Sequence, residues 1–243
     1  MGFGHSVVNG LLSPLGIRVV NRRWGPRGVL VSLEKAGAVG IVPDQVVDIG
    51  ASNGAWTRQC LRLLPNARYF LVDPLVENRQ SLETLSAEHP KVSHWTGALG
   101  REPGHLDFFV HGTQSSFLHS EFSGDGTNTR RIEVRTLDSF LEDGELAPPQ
   151  LMKADVQGFE LDVLRGATEC LRSTELVMLE VSYQAIYENA PLAHEVIAAM
   201  GHWGFRIFDV CTYVQRLRDG ALMQSDILFA RDGSQLFADR AWR

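Results

Sequence analysis

Residues Val46-Val47-Asp48-Ile49-Gly50-Ala51-Ser52-Asn53-Gly54 constrain this chain more than any other stretch. An apolar run that ends in an acid and then breaks into Gly-x-x-x-Gly predicts a buried parallel strand turning tightly into a helix, here from Ala55 to Leu64. Glycine at Gly50 and Gly54 permits backbone conformations and close approaches that a side chain would block, so a ligand could lie against the main chain. The next apolar run, Arg68-Tyr69-Phe70-Leu71-Val72, ends at Asp73. An acid about 20 residues beyond such a turn can hydrogen-bond both hydroxyls of a ribose. Together these features predict a nucleoside site. A dinucleotide turn would need Gly-x-Gly-x-x-Gly to seat pyrophosphate on the helix N-terminus. Here Ser52 replaces the middle glycine and the spacing differs.

The rest of the chain alternates strand and helix. Strand 46–50, helix 54–64, strand 68–73, helix 76–88 and a strand from Val92 to Leu99 call for right-handed parallel crossovers. Strand 151–156, helix 159–171, strand 175–181, helix 191–200 and strand 205–210 continue the pattern. The expected fold is an α/β, doubly wound, mostly parallel sheet. An antiparallel hairpin, Tyr213–Leu217 with Asp226–Ala230 about Gly220, closes its edge. Residues 1–42 are broken by glycine and proline, apart from a helical patch at Gly28–Ala38. They read as an N-terminal appendage packed on the sheet or covering the cofactor mouth, with the main domain at 43–243. An insertion around 104–136 carries two further strands, 105–110 and 131–135. Between them runs a Ser-, Thr- and Gly-rich loop, 111–129, that is expected to form a substrate-facing lid.

Composition narrows the function. At 243 residues the chain suits one domain with a sizeable core. A net charge of −6 leaves no basic footprint for neutralising phosphates, so nucleic acid is not an expected partner. The basic stretch Arg18–Arg27, interrupted by Gly25 and Pro26, reads as a solvated loop. Cys60, Cys170 and Cys211 are odd in number and widely spaced, as for core thiols in a reducing compartment. No apolar run reaches the roughly 18 residues of a membrane span, and no basic-then-apolar leader is visible. A soluble cytoplasmic protein is expected, with no membrane partner. Self-association stays open.

A strand-terminal Asp-x-Gly-x-x-x-Gly with a later acid resembles the S-adenosylmethionine loop of class I methyltransferases, whose cofactor carries a ribose but no phosphate. Four further stretches join it: Thr136-Leu137-Asp138-Ser139-Phe140, Lys153-Ala154-Asp155-Val156-Gln157-Gly158-Phe159-Glu160, the following Leu161 to Ala167, and Ser225-Asp226-Ile227-Leu228-Phe229-Ala230. Together they resemble the FkbM family of S-adenosylmethionine-dependent methyltransferases over residues 44–232. The Lys-x-Asp-x-Gln-Gly-x-Glu run is the most specific part. The resemblance implies a Rossmann-like methyltransferase domain and O-methylation of a hydroxyl on a sugar, natural-product or other small-molecule scaffold. Two other readings stand beside it. One is an NAD-dependent oxidoreductase, against which the missing central glycine and the lack of a Tyr-x-x-x-Lys pair count. The other is a non-catalytic, cofactor-binding regulatory subunit.

Methyl transfer from a sulfonium is an in-line displacement, so positioning the acceptor oxygen is the first requirement. A base or bound cation that lowers the acceptor's pKa would help. Candidates must sit at carboxyl ends of strands, which selects Asp155 and Glu180. Asp155 could hold the cofactor's amino group, bind a cation, take the acceptor's proton, or cap helix 159–171. Methyltransferases related to this family that act on macrolide sugars use magnesium, so Asp155 and Glu180 are candidate magnesium ligands. Glu180, however, is followed by Val181 and Ser182 rather than a second acid, and no histidine lies three or four residues past Asp155. His119 is a candidate proton acceptor or an ordinary surface histidine.

The cofactor set comprises Asp48, Gly50, Ala51, Ser52, Asn53, Gly54, Asp73, Ala98, Ser116 and Asp155. Asp48 is expected beneath the methionine end, accepting backbone hydrogen bonds of the loop, and Ala98 at the adenine edge. Ser115 and Ser116 resemble a Ser-Ser-Leu stretch of the family and could meet cofactor or acceptor. Gln157 and Glu160 could act chemically or satisfy free donors of the turn and helix start. Glu160 is read as structural. Asp138 is expected to cap helix 139–143, and Tyr183 and Tyr187 to line an acceptor pocket or simply to pack.

Overall fold

The computed structural model describes residues 28–110, 115–118 and 128–239. Helix α1 (Val29–Ala38) leads into β1 (Gln45–Ile49), α2 (Ala55–Leu63), β2 (Arg68–Asp73), α3 (Val76–Glu88) and β3 (Val92–Thr96). An excursion follows through β4 (Ala98–Leu99), β5 (Gly104–Val110), β6 (Asn128–Arg135) and α4 (Leu137–Glu142). The chain then returns through β7 (Leu151–Ala154), α5 (Glu160–Arg165), α6 (Thr168–Ser173), β8 (Leu176–Ser182), α7 (Ala193–His202) and β9 (Phe205–Val210). It closes with β10 (Val214–Gln215) and β11 (Leu222–Arg231).

The main sheet runs β10-β11-β8-β7-β1-β2-β3, with β9 also paired to β11. Strands β3, β2, β1, β7 and β8 are parallel, and β11 lies antiparallel between β8 and β9. The second arm of the expected hairpin is therefore an inner strand, and β9 and β10 form the edge beyond it. All of β1 is buried, because each sheet face is covered. Val46 joins a core layer with Leu33 of α1, Cys60 of α2 and Leu82 of α3. Val47 and Ile49 join the opposite layer with Phe140, Leu164 and Val196. Both alternating faces being apolar is what a central parallel strand requires.

The chain winds outward from β1 to β3 and then jumps back to β7 on the other side of β1. Strand order reverses there, opening a crevice at the carboxyl ends of β1 and β7. The expected strand 92–99 splits at Gly97, whose N–H donates to the carbonyl of Asp73 at 3.1 Å. Past that bond the chain leaves the main sheet, and β4 pairs with β6 in a small sheet ordered β4-β6-β5. Helix 159–171 is likewise two short helices. They meet at a corner where a Cβ on Gly166 would fall 2.0 Å from the carbonyl oxygen of Gly100, so only glycine lets these two main chains touch.

Asp138 does not cap its own helix. Thr136 does so, accepting the N–H of Ser139 at 3.1 Å. Asp138 lies in the first turn of α4 and reaches across to α6. There its carboxylate accepts from the N–H groups of Glu169 (3.0 Å) and Cys170 (2.9 Å) and from Thr168 Oγ1 (3.0 Å). Spacing along the chain favours the near helix, but the α4–α6 contact brings free donors of α6 closer.

Helix α1 is fastened to β9, where Ser32 and Lys35 both donate to Asp209. The N–H of Gly28 donates to the carbonyl of Cys211. Cys60, Cys170 and Cys211 are free and buried. Among the described residues no helix is long and apolar enough to cross a membrane. Residues 1–27, with the Arg18–Arg27 stretch, lie outside the described residues, as does most of the expected lid loop, including His119.

Candidate active site

The bend after β1 is held by main chain. The N–H groups of Gly50 and Ala51 both donate to the carbonyl of Val72 on β2, and that of Gly54 to Ala51. Gly50, Ser52 and Gly54 have φ of 73°, 51° and 78°, in the left-handed region that disfavours β-carbons. A Cβ on Gly50 would sit 2.0 Å from the carbonyl oxygen of Asp155. The first glycine is thus required by the neighbouring strand end as much as by any ligand.

Asp73, 6% exposed, ties this bend to the next one. Its Oδ2 accepts the N–H of Ser52 at 2.7 Å, while Oδ1 accepts from the N–H of Leu75 (3.0 Å) and from Asn78 Nδ2 (2.8 Å). Burial raises its carboxyl above the ordinary aspartate value, against the pull of these donors. A carboxylate has about four acceptor positions, so these three donors, counted among the described residues, leave Oδ2 with capacity for one more.

Asp48 lies under the bend, fully buried. It accepts from Thr57 Oγ1 of α2 at 2.7 Å, and Lys153 Nζ lies 3.2 Å from its other oxygen. It takes side-chain donors rather than the expected backbone N–H groups. The parallel register of β1 and β7 sets Asp48 directly opposite Lys153. The same ammonium donates to the carbonyl of Gly50 at 3.1 Å and lies 3.7 Å from Asp155 Oδ2. Burial would lower the lysine pKa, but Asp48 and Asp155 outweigh it and raise it.

The turn after β7 forms the other wall. Glu160, 3% exposed, accepts the N–H groups of Val156 (3.0 Å) and Gly158 (3.2 Å), closing the turn in front of α5. Burial pushes its carboxyl up to about 7. Gln157, with φ 55°, donates Nε2 to Asp155 Oδ1 and to Glu180 Oε2, both at 2.8 Å. Its Oε1 accepts the Tyr187 hydroxyl at 2.8 Å. Gln224 Nε2 also donates to Glu180 Oε2, at 2.7 Å. Burial, then repulsion from Asp155, pushes the Glu180 carboxyl up to about 8.

Between the walls lies a cavity. Of the sequence-predicted residues, Gly50, Ser52, Asp73, Ala98, Asp155 and Gln157 line it. Asp48, Ala51 and Gly54 are buried behind it, and Asn53 faces solvent, its side chain accepting the N–H of Ala55. Ser115 lines it, whereas Ser116 is fully buried and clamps the inserted strands to the turn after β7. Its Oγ donates to the carbonyl of Gln157 at 2.8 Å and accepts the N–H of Leu118. Glu180 sits one step back, behind Gln157. Tyr183 bonds Ser225 rather than the cavity.

Sequence reasoning passed over Leu75 and Asn78, and an aromatic group of Phe108, Phe117 and Phe159. The rings of Phe108 and Phe159 flank Phe117 at centroid separations of 4.9 and 5.1 Å. It also left Lys153 without a role, although a lone lysine inside an apolar four-residue strand signals a buried acidic partner. Among the described residues, no group of three or more His, Cys, Asp or Glu side chains is placed to hold a metal ion. Asp155 and Glu180, the candidate magnesium ligands, are bridged by the Gln157 amide instead.

The methyltransferase FkbM domain matches residues 48–207, which contain both walls of the cavity. The chain belongs to the FkbM methyltransferase family. Among curated relatives of this FkbM methyltransferase, the 2-O-methyltransferase NoeI of Sinorhizobium fredii is 26% identical over 163 residues, covering 60% of this chain and 67% of the relative. The hexuronic acid methyltransferase AglP of Haloferax volcanii is 34% identical over 139 residues, 57% of this chain and 56% of the relative. The chain thus spans between about half and two thirds of these relatives. A solved FkbM methyltransferase from Methylobacillus flagellatus matches with a TM-score of 0.49 at 15% identity, over 76% of this chain and 43% of that one. Family membership sets aside the oxidoreductase alternative.

Proposed function

We propose that this FkbM methyltransferase moves the methyl group of S-adenosylmethionine to a hydroxyl of a sugar or other small polyhydroxylated acceptor. One observation carries the choice of cofactor: the charged residues lining the cavity, among those described, are Asp73 and Asp155, with no lysine or arginine. A diphosphate-bearing cofactor would meet like charge there, whereas the sulfonium and amino group of S-adenosylmethionine would meet opposite charge. The spare acceptor position of Asp73 suits a ribose hydroxyl, and Gly50, Ser52 and Ala98 leave room beside it for the nucleoside.

Bound in this cavity, S-adenosylmethionine would supply an electrophilic methyl carbon. The protein's own contribution is placement and proton handling. Asp155 accepts the hydrogen bond of the acceptor hydroxyl and takes its proton, worth about 10²–10⁴-fold in rate for a positioned base. Glu180 supports Asp155 through Gln157. His119, outside the described residues, is the second candidate for the proton. The names of the relatives, a 2-O-methyltransferase and a hexuronic acid methyltransferase, support a glycan-type acceptor.

Calorimetry with S-adenosylhomocysteine and with NAD, followed by S-adenosylhomocysteine release across a panel of free and glycosidic sugars, tests this reading. Binding of the first compound alone, with sugar-dependent turnover, is expected. Failure to bind it sinks the proposal. Binding without turnover on any hydroxylated acceptor would instead favour a non-catalytic cofactor-binding subunit.

A further inference from the structure

Gln157 occupies a place that its backbone does not favour. At φ 55° a long side chain is strained, and asparagine or glycine would serve a simple turn better. Every part of its amide is engaged all the same. The two hydrogens of Nε2 point to different carboxylates, Asp155 Oδ1 and Glu180 Oε2, each at 2.8 Å, and Oε1 accepts from the buried Tyr187. Among the described residues Asp155 Oδ2 has no such donor, since Lys153 Nζ stands 3.7 Å away, beyond hydrogen-bond reach.

We infer that Gln157 is a positioning residue: its amide fixes the rotation of the Asp155 carboxylate so that one oxygen is occupied and the other stays available to the acceptor hydroxyl. This rests on the proposed methyl transfer and goes beyond it by assigning the orientation of Asp155 to a single neighbour. Two acids this close would repel and swing apart without a shared donor whenever both are ionised. A neutral amide supplies both hydrogen bonds without adding a proton that could be lost. The Asp155 carboxylate makes the assignment one-way, because it only accepts and so takes Nε2, leaving Oε1 to the Tyr187 hydroxyl, which can donate or accept. The carbonyl of Gln157 also receives the Ser116 hydroxyl, so the inserted strands anchor the backbone from which the amide projects.

The test uses Gln157→Asn and Gln157→Gly in the full-length protein. Both residues suit a positive φ, and both remove the amide from the carboxylates, by one methylene or altogether. If Gln157 positions Asp155, both variants retain the melting temperature within a few degrees, the KM for the donor and the affinity for S-adenosylhomocysteine. They lose kcat by about a hundredfold, the scale of a misplacement near 1 Å. A kcat within twofold of the parent in either variant overturns the inference. So does a loss of kcat matched by a rise in donor KM or by lost S-adenosylhomocysteine binding, which would make Gln157 a structural or binding residue. Parent protein that binds no S-adenosylhomocysteine defeats the underlying methyl-transfer reading instead, so the two failures are distinguishable.

Discussion

The bend after β1 and the turn after β7 face the same cavity but are made of different material. The first is assembled from main chain, with Gly50 and Ala51 donating to Val72, and Asp73 saturated on one oxygen and nearly so on the other. The second is assembled from side chains, with Asp155, Gln157 and Glu180 sharing one amide. Main-chain hydrogen bonds are short-ranged and hard to rearrange, so the first wall is suited to recognising a fixed shape. A side-chain network can leave an oxygen unclaimed and let it change protonation, which suits the second to chemistry. On the proposed methyl transfer, binding and reaction fall to opposite sides of one crevice.

The largest break in this division comes from Gly50→Ala. The new Cβ would meet the Asp155 carbonyl at a positive φ, a combined cost of about 3 kcal/mol or more. Both walls should fail together, read as a lowered urea midpoint and lost S-adenosylhomocysteine binding. Asp155→Asn should act mainly on the reactive wall: turnover falls about 10²–10⁴-fold, a larger loss than the weakening of S-adenosylhomocysteine that calorimetry reads from the missing charge. Asp73→Asn is the counterpart on the recognising wall. It should weaken S-adenosylhomocysteine by about 1.5–3 kcal/mol, the range for hydrogen bonds to a charged group, and leave kcat at saturating donor close to the parent. Were Asp73→Asn to bind as tightly as the parent, the division would be wrong. Asp138→Ala, far from both walls, should cost about 1 kcal/mol of stability through the lost α6 cap and change neither binding nor kcat.

A further effect is graded with pH. Glu160 and Glu180 have folded-state pKa values near 7 and 8, against an ordinary 4.5. The folded protein therefore holds protons that the unfolded chain releases, and these groups make stability fall as pH rises from about 4.5 to about 8. Urea midpoints measured across that range should decline, and Glu180→Gln should flatten the decline. A midpoint that rises through the window would contradict these shifts.

Much of the bend after β1 could be read in advance, because a glycine bend and a strand-terminal acid are local patterns. Helix 76–88 and strand 205–210 agree with their periodicity for the same reason. The failures share another cause. Asp138 caps a helix 30 residues further on, Asp48 binds α2 and β7 rather than its own loop, and the strand after Val92 divides where Gly97 bonds to Asp73. Each is decided by a partner distant in sequence. The pairing of Gln157 with Glu180 is of that kind too, since it needs β7 and β8 to lie side by side. The Phe108–Phe117–Phe159 group depends in the same way on where the inserted sheet docks.

Lys153 stands between the two walls, serving Asp48 below the bend, the Gly50 carbonyl within it and Asp155 across from it. On the proposed reading, recognition and reactivity draw on a single counter-ion. Replacing that lysine with an uncharged residue would strand Asp48 in the core, and a compensating change at Asp48 would still leave Asp155 electrostatically altered. An engineer seeking a new acceptor has freedom among the aromatic rings and the inserted strands, but almost none along the line from Asp48 through Lys153 to Asp155.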